Sequence, residues 1–223
     1  MLALLWALVP LLNCVLFAIV PIYYPEKSRP ENKRIRLGSL KMFWIVFAMM
    51  IAAGASEEAM CQWTSAFAES ALHVSKTVGD LAGPCAFAFM MGTARTLYAA
   101  RSEKLPLVKA MKLSGLLCVF CYGLAAFSHN PVFGLLGCAL CGFSIGIFWP
   151  GTFSIAAREI PDGGTAMYAL LALAGDAGAV IGPSVTGFSA ALLGGRLQLG
   201  LAVSTIFPLI MLACIARLEK QRD

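Results

Sequence analysis

Asp176 is the one charged residue in a long apolar run, Thr165 to Gly187, TAMYALLALAGDAGAVIGPSVTG. A carboxylate in hydrocarbon is costly unless it faces a cavity or a partner, so such an acid is a functional candidate by default. Two chemistries suit it, a proton carrier and a solute contact. The bland alternative is an acid held by a neighbouring polar group at a helix contact. Gly175, Gly178, Gly182, Pro183 and Gly187 surround it. Small residues at four-residue spacing let a second helix approach closely, so these are read mainly as packing positions.

A second constellation lies earlier, at Glu57, Glu58, Gln62 and Trp63. On an unbroken helix, Glu58, Gln62, Ser65 and Glu69 fall on one face. Trp63 lies beside that face and suits stacking on a sugar ring or another planar solute. Counting from Leu40, Glu58 lies about 27 Å along the axis, toward the outer end of a straight span. A solvated polar helix end is the competing reading. Trp149 and Pro150 lie where a helix would break and line a cavity, or where an aromatic anchor sits at the membrane interface. The coupling candidates are Asp176 and Glu58.

Other chemistry finds little support. Cys118-x-x-Cys121 and Cys138-x-x-Cys141 have zinc-ribbon spacing, but they lie among Leu, Phe and Gly with no polar groups to orient a metal. They are read as small buried hydrophobes, with no metal and no cofactor implied. No nucleophile–base pair, phosphate-binding loop or HExxH helix is present. His73, His129, Lys76 and Asp80 read as solvated polar residues at outer helix ends. The expectation is a protein that is not an enzyme.

These residues need helices to hold them, and the composition says which kind. The chain has 223 residues, 59% hydrophobic and 13% charged, with a mean hydropathy of +0.79. A soluble domain carries about 25% charged residues. The apolar runs are each about 20 residues long, the length of membrane-crossing helices rather than barrel strands. The expected fold is all-α, a polytopic membrane helix bundle with seven transmembrane helices. The spans run from about Leu2 to Tyr23, Leu40 to Leu72, Val78 to Ala100, Leu107 to Phe127, Pro131 to Ala157, Thr165 to Leu193 and Leu197 to Ala216. The first lacks the basic start and small-residue cleavage site of a signal peptide and is read as a genuine span. By domain, residues 1–24 are one helix, 25–39 a basic linker, 40–217 a six-helix bundle and 218–223 a tail.

The basic residues set the orientation. Lys27, Arg29, Lys33, Arg34, Arg36, Lys41, Arg95, Arg101, Lys104, Lys109, Lys112, Arg158, Arg217, Lys220 and Arg222 all fall on one side of a seven-span layout, with Lys76 and Arg196 on the other. The positive-inside rule makes that side cytoplasmic and the N-terminus external, in a multi-pass protein expected in the plasma membrane. The net charge of +5 therefore reports topology, and no nucleic-acid partner is implied.

The stretch from Phe148-Trp149-Pro150-Gly151-Thr152 to Gly187 resembles the tenth and eleventh helices of major facilitator superfamily (MFS) transporters. Gly178-Ala-Val-Ile-Gly182-Pro183-Ser-Val-Thr-Gly187 is similar to the family's G-x-x-x-G-P-x-x-G-G pattern, with Thr186 in place of the first closing glycine. Gly92-Thr-Ala-Arg95-Thr-Leu-Tyr-Ala-Ala-Arg101 sits where the family has its cytoplasmic G-x-x-x-D-R-x-G-R loop, which makes Gly92, Arg95 and Arg101 candidate gate-loop residues. Glu57 to Trp63 resembles the seventh helix of the fucose-permease-like branch. The resemblance implies a partial MFS fold, the sixth helix, the central loop and the C-terminal six. It implies a cavity lined by Glu57, Glu58, Gln62, Trp63, Trp149 and Asp176.

The expected function is secondary active transport of a small polar solute, a sugar or similar compound, by alternating access, with proton coupling as an addition. The partners are the lipid bilayer, the solute, and a missing N-terminal half or a second copy. A seven-span receptor and a transport-inactive fragment are the rivals; the first lacks D-R-Y and N-P-x-x-Y signatures.

Overall fold

A computed structural model describes residues 2–20, 37–128 and 130–222. The chain divides into two units, 1–35 and 36–223. The first contains helix α1 (Leu2–Ile19), apolar in sequence apart from Asn13. The expected linker lies almost wholly outside the described residues, as does His129.

The second unit is helical throughout its described residues. It contains α2 (Lys41–Cys61), α3 (Thr64–Leu72), α4 (Lys76–Asp80), α5 (Ala86–Arg101), α6 (Leu107–Phe127), α7 (Pro131–Ile145), α8 (Phe148–Glu159), α9 (Gly164–Leu192), α10 (Leu197–Ser204) and α11 (Ile206–Arg222). Five helical stretches are long and apolar enough to cross a membrane: Lys41–Ser70, Leu107–Phe127, Val132–Glu159, Pro161–Leu192 and Leu197–Gln221. These match five of the seven expected spans. The first expected span has a shorter apolar counterpart, Ala7–Ile19. The third is divided into α4, a π-helical turn at Leu81–Cys85, and α5.

Proline accounts for three interruptions. It cannot donate to the carbonyl four residues back, and its ring crowds that carbonyl. Pro84 lies in the π-helical turn between α4 and α5, a wider turn that relieves the crowding. Pro150 follows the break between α7 and α8, and Pro208 follows the break between α10 and α11. Residues 218–222, expected as a tail, continue α11 to Arg222.

Helix α2 is the centre of the bundle. It packs most extensively on α9 and also meets α11, α8 and α7. Val46, Met49, Met50, Met60, Phe67, Phe87, Tyr122, Phe148, Met167 and Leu171 are among its fully enclosed side chains and those around it. The α2–α9 crossing is closed by glycines. A Cβ on Gly54 would lie 2.1 Å from the Gly175 carbonyl oxygen, one on Gly178 2.2 Å from that of Ile51, and one on Gly182 2.3 Å from that of Ala55. Backbone touches backbone here, and every non-glycine side chain is too large. Without a hydrophobic drive between helices in lipid, such contact is what holds them together.

Polar ties finish the packing. The buried Tyr122 hydroxyl donates to the Ser56 carbonyl at 2.7 Å, joining α6 to α2. Thr186, the residue that departs from the family's glycine pattern, is buried, and its hydroxyl lies 2.6 Å from that of Ser204. A glycine there would leave α9 and α10 without this bond. Lys112 donates to Glu219 at 2.8 Å, so the start of α6 and the end of α11 share one end of the bundle. Outside, Phe89, Phe120, Val132, Leu173, Val180 and Phe188 are exposed, an apolar surface suited to lipid.

Candidate functional site

The site begins with a missing hydrogen bond. Pro150 lacks an N–H, so the carbonyl of Gly146 loses its helical donor. Arg95 Nε donates to that oxygen at 3.0 Å. Irregular backbone at membrane depth requires such a substitute partner. The bond ties α5 to the α7–α8 break and holds the guanidinium there. The terminal nitrogens of Arg95 have no protein partner among the described residues.

Glu57, Arg95, Trp149, Pro150 and Phe153 line one cavity of about 480 Å³. Glu57 is half-buried on α2 and has no hydrogen-bond or ion-pair partner among the described residues. The charge of Arg95 acts on it, but the two do not form an ion pair. An acid and a base therefore face one space separately. The ring of Trp149 rests on Gly175, where a Cβ would lie 2.3 Å from its Cη2 atom. The aromatic series continues through Phe153, 6.4 Å from Trp149 between ring centres, to Tyr168, 6.0 Å further on.

Three buried polar atoms on α2 and α8 lack protein partners among the described residues: Ser56 Oγ, Thr152 Oγ1 and Trp149 Nε1; of the three residues, Trp149 lines the cavity. Buried polar groups nearly always find a partner, protein or water, and each orphan asks for an explanation.

The sequence candidates separate. Glu57 and Trp149 come together, joined by Arg95. Glu58 turns to Gln62, whose Nε2 donates to it at 2.9 Å. Trp63 donates from Nε1 to the Pro183 carbonyl at 2.9 Å and covers Gly187. It lines a different cavity, of about 570 Å³, with Glu69, Ser70, Gly187 and Leu197. The expected single face from Glu58 to Glu69 is interrupted, because α2 ends at Cys61 and α3 starts at Thr64. Asp176 is exposed near the middle of α9, on a strip with Leu173 and Val180, and is not among the lining residues of either cavity. Gly92, Arg95 and Arg101 all lie within α5, so the expected gate loop is helical; the turn after it starts at Ser102. Asp80 accepts from Ser65 Oγ.

Sequence reasoning did not put Arg95 in the cavity. The signal was Pro150, which leaves the residue-146 carbonyl free and so calls for a donor from another helix.

The four central cysteines, Cys118, Cys121, Cys138 and Cys141, are buried between α6 and α7, with Cys118 Sγ 3.9 Å from Cys141 Sγ. Among the described residues no group of three or more His, Cys, Asp or Glu side chains is arranged to hold a metal.

An all-helical bundle with an apolar exterior and a polar cavity between helices is the architecture of a membrane carrier. The sequence model of the Major Facilitator Superfamily matches residues 1–183, and the chain belongs to that superfamily. It is a multi-pass membrane transporter, set in a lipid bilayer and handling a small-molecule solute. No curated protein matches the chain.

Proposed function

We propose that this protein carries a small polar solute by alternating access, with the space between Glu57, Arg95 and Trp149 as its site. The observation that carries the reading is the pair of opposite charges that line one cavity without pairing with each other. Secondary carriers place such groups near the membrane midplane, on interrupted helices, facing a second half that rocks against the first. The α7–α8 interruption beside Arg95 is of that kind.

The reading includes the seven-span arrangement, a partial MFS fold, with α1 and the α4–α5 stretch as the additional spans, and the plasma membrane as the location. The N-terminus lies outside and the C-terminus in the cytoplasm. The supporting feature is the collection of Arg101, Lys104, Lys109, Lys112, Arg158, Arg217 and Lys220 near helix ends on one side of that arrangement. The opposite wall of the cavity comes from an N-terminal half or from a second copy. Proton coupling runs through a carboxylate on α2 or α9: Glu57, Glu58 or Asp176.

The test is uptake into liposomes under an imposed pH gradient, by the full protein and by Glu57→Gln, Glu58→Gln and Asp176→Asn. One of the three should uncouple uptake from the gradient while solute exchange continues. Gradient-driven uptake that survives all three replacements removes the coupling. Exchange unaffected by Glu57→Gln, Arg95→Gln and Trp149→Ala removes the site.

A further inference from the structure

We infer that the solute is a zwitterion, a small molecule bearing both an ammonium-type cation and a carboxylate-type anion. The inference rests on the carrier reading above and goes on to name its substrate class.

A solute that enters the cavity displaces water from its walls. Glu57 and the terminal nitrogens of Arg95 face that space without a protein partner among the described residues and without bonding each other. Water serves both while the cavity is open. A charged group that loses water is destabilised unless it gains a partner. A neutral sugar would replace that water with hydroxyl hydrogen bonds and neutralise neither charge. An anion would satisfy Arg95 and repel Glu57, and a cation would do the reverse. A solute carrying both charges satisfies both.

The details favour the same class. Nε of Arg95 is occupied by the Gly146 carbonyl, which fixes the guanidinium and leaves its terminal nitrogens for a planar anion. Trp149 and Phe153 line the same cavity as Glu57, and aromatic rings attract cations. Because Glu57 and Arg95 stand further apart than an ion pair, the solute must hold its charges apart on a short carbon frame.

The experiment measures binding to the purified full-length chain with five probes: alanine, γ-aminobutyrate, glucose, propionate and propylamine. One of the two zwitterions should bind about tenfold or more tightly than glucose, propionate or propylamine, since a hydrogen-bonded charge contact is of that order. Glu57→Gln should abolish its advantage over propionate and tighten propionate binding, since the repelling charge is gone. Arg95→Gln should abolish its advantage over propylamine. Glu57→Asp and Arg95→Lys, which keep the charges, should retain most of the preference, which separates recognition from misfolding. Glucose binding above both zwitterions overturns the inference and leaves the carrier reading standing, as does an equal response of all five probes to both charge removals. Zwitterion binding with no exchange across liposomes by the full protein overturns the carrier reading and leaves the inference standing.

Discussion

Replacing Gly178 by alanine adds one methyl group where there is no room for it. Its Cβ would lie 2.2 Å from the Ile51 carbonyl oxygen and 3.0 Å from the Ala55 nitrogen. Both are backbone atoms, so no side chain can rotate away. The oxygen contact has to open to at least 3.0 Å, the lower limit for a real Cβ. That means separating α2 from α9 along their closest seam. Overpacking of this kind costs about 1–3 kcal/mol. For a chain of this size each kcal/mol lowers the melting temperature by about 2–4 °C, so the expected fall is about 2–12 °C. Gly123 is the control. It lies in α6 with nothing within 4 Å of its Cβ position, and alanine there removes glycine's backbone-entropy cost of about 0.5–1 kcal/mol.

The assay is a fluorescence-monitored thermal melt of the detergent-solubilised protein. Gly178→Ala should melt well below the parent, and Gly123→Ala at or above it. The reasoning also has a functional arm. Gly175, one turn from Gly178, is the floor on which the Trp149 ring rests. Moving α9 should therefore disturb the cavity as well as the fold, and solute exchange should fall in the Gly178 variant even below its melting range. A Gly178→Ala protein that melts with Gly123→Ala would refute the claim that backbone contact at this crossing holds the bundle.

Two further outcomes follow from the cavity. Arg95→Gln leaves the Gly146 carbonyl without its donor and should cost about 1–3 kcal/mol, whereas Pro150→Ala restores a backbone N–H to that carbonyl. A double-mutant cycle on melting should show the second change recovering about 1 kcal/mol or more of the loss; strict additivity would break the link between Pro150 and Arg95. Trp149→Phe removes a buried donor that has no protein partner, so stability should hold or rise. A lower melting temperature would show that the indole N–H is bonded in the folded protein.

The helical, membrane-crossing character of the chain was legible because it depends on composition and run length, and neither needs tertiary information. Five expected spans correspond to helices of sufficient length and apolarity. What periodicity could not show is which way each face points. A helix that is apolar nearly all round, as α9 is, has no polar stripe to mark its inner side. Asp176 could be placed at mid-length by counting, but not rotated into or out of a cavity. Glu57 and Glu58 differ by about 100° of helix rotation, and face arithmetic followed Glu58 because Gln62, Ser65 and Glu69 continue its line. That line is valid only on an unbroken helix, and the turn at Gln62–Trp63 ends it. Arg95 was misplaced for a related reason. Counting residues gave its distance from the end of α5, but not the depth at which the neighbouring α7–α8 break would meet it. Pro150 was the available clue, because a carbonyl freed inside a membrane has to be bonded by something. Prolines in apolar spans thus mark more than kinks: each names a carbonyl four residues back that needs a donor. Here that donor is the cation of the proposed site, so the residue that breaks the helix also positions the charge.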